Sequence, residues 1–123
     1  MSDPVGKMSN PGNDLKRLGI FGGTFDPVHL GHLICAEQLL QALRLDLVLF
    51  VPTHAPPHKP TTEPVGPEHR LAMVRLAIEG QQGFRDSDLE IRRGGTSYTI
   101  DTVRELRRAY GDAVEFWLLM GQD

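Results

Sequence analysis

An α/β fold built on a parallel sheet is what this 123-residue sequence predicts. Short apolar runs, of strand length, alternate with stretches whose apolar residues recur at three- and four-residue steps, the period of a core-facing helix. The run LDLVLFV at 45–51 is nearly all apolar, as a strand covered on both faces requires. Strand, helix, strand, helix, strand, helix, strand in that order implies parallel pairing with helical crossovers.

Each element follows from its own residues. The opening MSDPVGKMSNPGNDLKR (1–17) is polar, with two prolines and two glycines, and lacks the apolar centre of a signal peptide. It reads as a disordered extension ahead of a single domain over 18–123. LGIF (18–21) is a buried strand ending in glycines. Asp26-Pro27 suits a turn or the start of a helix, because Asp caps well and Pro fits the first helical turn. Leu30, Leu33, Ala36, Leu40 and Leu43 then form the apolar stripe of a first helix.

After the strand at 45–51 comes PTHAPPHKPTTEPVGP (52–67), a proline-rich loop too long to be a plain connection. A second amphipathic helix covers 68–79, with Leu71, Val74 and Ile78 as its stripe; Glu68, His69 and Arg70 read as polar residues at its start. DLEI (88–91) is a weaker strand candidate. Ile100, Val103, Leu106 and Tyr110 mark a third helix, closed by Gly111 as its C-terminal cap. AVEFWLLM (113–120) is the last strand.

Composition narrows the function. Hydrophobic residues make up 40% and charged residues 24%, the profile of an ordinary globular domain. A net charge of −3 argues against a nucleic-acid footprint. The single cysteine, Cys35, cannot form an internal disulfide, and no Cys/His pattern suggests structural zinc; a reducing cytoplasm is the simplest setting. No apolar run is long enough to cross a bilayer.

In parallel sheets, ligands bind beyond the C-terminal ends of the strands, near a switch in strand order. The segment 22–32, the loop 52–67 and the residues 121–123 all fall at such ends, so three candidate motifs share one rim. Gly22-Gly23, after a strand and before a helix, lets backbone N–H groups approach a phosphate, with the helix N-terminus adding positive potential. The run is neither a P-loop nor GxGxxG. A plain tight turn would also explain two glycines. His29 and His32 stand three apart, on one face of a helical first turn, with Gly31 between them leaving room for a ligand. As a pair they fit phosphate donors, a core histidine pair or metal ligands about equally well.

GGTFDPVHLGHL resembles the HxGH signature of the nucleotidyltransferase superfamily. PPHK (56–59), SYTIDT (97–102) and GQD (121–123) resemble, in order and spacing, the motifs of bacterial nicotinate-nucleotide adenylyltransferases. The resemblance implies a Rossmann-like nucleotidyltransferase fold, with helices on both faces of a parallel sheet. It also implies adenylyl transfer from ATP to nicotinate mononucleotide, with Mg2+ bound alongside ATP, giving nicotinate adenine dinucleotide and pyrophosphate. On that resemblance Gly22, Gly23, Thr24 and Phe25 line the cleft, with Gly23 and Thr24 shared by both nucleotides. His29, His32 and Lys59 are catalytic and contact the ATP phosphates, His32 nearest the α-phosphate. Tyr98 and Thr99 bind the nicotinate carboxylate, or simply cap a helix. Gly121 and Asp123 approach ATP, Asp123 through ribose.

The rival from another class is a nucleotide-binding module without catalysis. Lys59 taken alone would be an ordinary surface lysine, and His54 and His58 carry no assigned role. Family members continue with a Ser/Thr-rich segment ending in arginine and a segment that packs on the nicotinate ring. This chain stops at Asp123 without either, so it is expected to be incomplete at its C-terminus. Alone it would be inactive and would self-associate through an exposed edge strand at 113–120.

Overall fold

The computed structural model describes residues 15–54, 66–95 and 98–120. Four strands and four helices follow one another as β1 (Arg17–Gly23), α1 (Leu30–Ala42), β2 (Leu47–Pro52), α2 (Pro67–Ile78), β3 (Phe84–Asp86), α3 (Leu89–Arg93), α4 (Thr99–Tyr110) and β4 (Glu115–Met120). All strand pairs are parallel and the sheet order is β3-β2-β1-β4. The chain steps outward from β1 to β3, then returns to pair β4 with the other side of β1. That reversal puts the switch point between β1 and β4, directly beyond Gly22 and Gly23.

Each sheet face carries its own core. On one face Phe21, Val48, Phe50 and Leu119 pack with Ala36 of α1 and with Val74 and Ile78 of α2. On the other, Leu18, Ile20, Leu47, Leu49 and Val51 pack with Leu106 of α4. Alternate residues of β1 and β2 thus serve opposite faces, and all six residues of β2 are buried. The expected α/β fold and the two-sided strand at 45–51 are present, and the last strand pairs with the first. Gly111 ends α4 in the left-handed region at φ 93°, donating its N–H to Arg107 O.

Three expectations need correction. DLEI (88–91) is not a strand: α3 occupies 89–93, and β3 is the three-residue Phe84–Asp86 just before it. So short a strand, with one buried apolar residue, leaves no alternation to read. Helix α3 instead turns Glu90 inward to meet Thr102. Leu30, the first residue of α1, does not face the core but is 68% exposed, while His32 of the same turn is buried. Ile100, in the first turn of α4, is likewise exposed, while Leu106 carries the contact. Of the two readings of Asp26-Pro27 the turn is the one that forms, and the N-cap of α1 is His29.

Candidate active site

The β1 strand runs straight into the site. Gly22 and Gly23 pair with Val51 and Pro52, and Gly23 O accepts the Thr53 N–H at 3.0 Å, so the ends of β1 and β2 are laced together at the rim. A Cβ on Gly22 would come no nearer than 4.0 Å to Val51 O, so no described neighbour demands a glycine there. Gly23 lies over the Phe25 ring, 3.4 Å from its Cζ to where a Cβ would stand. Phe25 itself has φ 52°, in the left-handed region that a bulky residue seldom adopts. Its side chain is 3% exposed and packs in the core at 5.4 Å from Phe21 and 5.7 Å from Phe50. The whole residue is buried, so its ring does not line the rim.

His29 and His32 build the start of α1 between them. The His29 Nδ1 accepts the Gly31 N–H at 3.1 Å, and the His32 Nδ1 accepts the His29 N–H at 3.0 Å. These bonds satisfy helix-start donors that would otherwise lack partners, a histidine version of the reciprocal capping box. The two rings stack with centroids 3.8 Å apart. His32 is buried, its ring 5.0 Å from that of Phe25, whereas His29 is exposed. An imidazole nitrogen that accepts a backbone N–H holds a lone pair, so the proton of each neutral ring sits on Nε2. The fold therefore assigns both tautomers, and both rings are donors through Nε2. Gly31 has a role other than leaving room for a ligand: a Cβ there would lie 3.0 Å from the His29 Cε1 and 3.1 Å from its Nδ1.

A third contributor comes from α4. Tyr98 is its N-cap residue, exposed and without a side-chain cap bond, and its carbonyl accepts from the Asp101 and Thr102 N–H groups. The N-terminus of this 12-residue helix carries positive potential at the rim. The turn is held from behind. Thr102 Oγ1 donates to the buried Glu90 Oε2 at 2.5 Å and accepts from Arg93 Nη2 at 2.8 Å. Arg93 also pairs with Glu105 at 3.2 Å. Helix α3 and helix α4 are thereby locked at the end that bears Tyr98 and Thr99.

Sequence reasoning missed Arg70. Placed in the first turn of α2, it is 0% exposed and donates to three backbone carbonyls, Thr24 O at 2.9 Å, Thr53 O at 2.8 Å and His54 O at 3.0 Å. The signal was present: Arg70 is four residues before Val74 and eight before Ile78, so it lies on the buried stripe. A charge in that position must be held by polar partners.

Gly22 and Gly23 close β1, and Thr24, Phe25, His29 and His32 follow at its C-terminal end, while Tyr98 and Thr99 open α4. Lys59, Gly121 and Asp123 lie outside the described residues.

Comparison with known proteins agrees with this fold. The sequence profile described as cytidylyltransferase-like matches residues 20–123. A protein of Synechococcus sp. (strain JA-3-3Ab) named "Probable nicotinate-nucleotide adenylyltransferase" is 51% identical over 112 residues, which are 91% of this chain and 54% of that protein. One of the same name from Thermomicrobium roseum is 53% identical over 110 residues, 89% of this chain and 50% of that one. The chain spans about half the length of the curated relatives it matches. The solved structure of Plasmodium falciparum nicotinic acid mononucleotide adenylyltransferase complexed with NaAD shares the fold, with a TM-score of 0.65 at 20% identity, covering 86% of this chain and 51% of that one. With a strand order that opens between β1 and β4, an HxGH run at that opening and a family profile matched over 20–123, the chain belongs to the cytidylyltransferase-like family.

Proposed function

We propose that the protein carrying this chain transfers the adenylyl group of ATP to nicotinate mononucleotide, releasing pyrophosphate and forming nicotinate adenine dinucleotide. The observation that carries this reading is the fixed pair of Nε2 donors at His29 and His32, beside glycines at the switch point. The names of relatives about 50% identical support the choice of substrates.

The chemistry asks for little beyond position and charge. An oxygen of the acceptor 5′-phosphate attacks the ATP α-phosphorus as the bond to the β-phosphate oxygen breaks. That phosphate is already ionised at neutral pH, so no covalent intermediate or strong base is needed. Catalysis then lies in holding the two phosphates in line and stabilising charge on the transferring group. In this reading the backbone at Gly22, Gly23 and Thr24 lies against the nucleotides. His29 and His32 donate through Nε2 to the triphosphate, His32 nearest the α-phosphate. Lys59 adds a compact positive charge on the departing phosphates. The N-terminus of α4 at Tyr98 and Thr99 receives the nicotinate carboxylate. Gly121 and Asp123 belong to the ATP side.

Among the described residues no group of three His, Cys, Asp or Glu side chains is arranged to hold a metal ion. In this reading Mg2+ arrives with the triphosphate, where the ion would neutralise charge on the leaving group. No helix among the described residues is long and apolar enough to cross a membrane; a cytoplasmic setting is part of the proposal. So is self-association through β4, one of the two edge strands of the sheet among the described residues, whose Leu118 is 46% exposed. Analytical ultracentrifugation tests that part, a concentration-independent monomer excluding it.

Pyrophosphate release with ATP plus nicotinate mononucleotide tests the reaction. Release that requires both substrates supports it. Nucleotide binding without release would make the chain a binding module and would overturn the reading.

A further inference from the structure

Arg70 joins three parts of the chain that meet at the rim. Its helix, α2, follows the loop that bears Lys59 in sequence, and its guanidinium reaches Thr24 O just after β1 and both Thr53 O and His54 O just after β2. A trans peptide unit is planar, with its C=O and the following N–H antiparallel. Anchoring Thr24 O toward Arg70 therefore turns the Phe25 N–H the opposite way, and anchoring Thr53 O does the same for the His54 N–H. Phe25 holds φ 52°, a conformation that persists only where the surroundings over-determine it. Two constraints meet there: the ring is buried among Phe21, Phe50 and His32, and the carbonyl just before it is held by Arg70.

We propose that Arg70 is a positioning residue for adenylyl transfer, setting the Thr24–Phe25 and Thr53–His54 peptide planes so that the two strand-end loops face one cleft. This rests on the reaction proposed above. Residue type matters, because a planar guanidinium presents several donors in a fixed fork. The ammonium of a lysine is a single point that cannot meet three carbonyls in the same directions. Arg70 touches no substrate in this account; it acts through backbone. The Thr53 N–H to Gly23 O bond, which closes the same two loops, is the internal reporter.

The test uses the protein expressed to its natural C-terminus, with Arg70→Lys and the harsher Arg70→Met. Two quantities are read: kcat per folded molecule for pyrophosphate release, and amide hydrogen exchange at Thr53 against Val48, whose N–H is bonded to Gly83 O in the sheet. The expected result for Arg70→Lys is a kcat lowered at least tenfold, with Thr53 exchange accelerated at least tenfold and Val48 unchanged. Unchanged kcat and unchanged Thr53 exchange would overturn the proposal. So would equal acceleration at Thr53 and Val48 in both variants, since Arg70 would then serve only global stability. If the unsubstituted protein releases no pyrophosphate, the reaction assigned above is what fails, and the Thr53 exchange still reports whether the loops are clamped.

Discussion

His29 and His32 cap one helix jointly: each imidazole accepts a backbone N–H through Nδ1, and the stacked rings lie 3.8 Å apart. Structure and proposed chemistry use different atoms of the same ring. The Nδ1 side belongs to the fold and, in the proposed reaction, the Nε2 side to the substrate, so the two roles can be separated by substitution.

His29→Ala removes the acceptor for the Gly31 N–H and should lower stability by about 1 kcal/mol, the usual worth of an N-cap. His29→Asn restores a capping acceptor and should recover most of that loss in thermal unfolding. Turnover should stay low in both, because neither supplies the Nε2 donor. Recovery of turnover with recovery of the cap would make His29 purely structural.

Gly31→Ala places a methyl within about 3 Å of the His29 ring. The melting temperature should hold or rise, since alanine is favoured over glycine in a helix by up to about 1 kcal/mol. The ring must move, and kcat should drop several-fold. Wild-type kinetics would show that the stacked geometry is dispensable.

Thr102→Val leaves the buried Glu90 carboxylate without its hydroxyl donor and Arg93 without the Oγ1 acceptor. A stability loss of about 1–3 kcal/mol is expected for a buried polar group so stranded. Because this bond holds the first turn of α4, KM for nicotinate mononucleotide should rise more than KM for ATP. An equal rise in both would detach α4 from the acceptor.

Lys59→Ala should raise KM for ATP or slow the chemical step while the melting temperature stays within a degree or two, the result expected of a charge that serves the substrate and not the fold. A large stability loss with normal kinetics would remove Lys59 from the site.

How much of this was legible in the sequence depended on whether one residue type had one explanation. β2 could be read because six consecutive buried positions need an apolar run that only a doubly covered strand requires. β3 could not, since Phe-Arg-Asp offers one apolar residue and its pairing with Val48, Leu49 and Phe50 is a tertiary fact. The HxGH run stood out through its unusual composition, yet its capping geometry did not, because histidine is not a usual N-cap. Phe25 was expected along the cleft; its left-handed backbone turns the ring into the core instead. Arg70 was passed over as a polar residue at a helix start, although its place on the stripe with Val74 and Ile78 marked it as buried.

The most direct test of the central claim is steady-state pyrophosphate release by His32→Ala with ATP and nicotinate mononucleotide, beside equilibrium binding of ATP. Loss of one transition-state donor should lower kcat about a hundredfold or more, with ATP affinity changed only a few-fold. Turnover close to that of the unsubstituted protein would contradict the account, leaving His32 as part of the helix cap and the core alone.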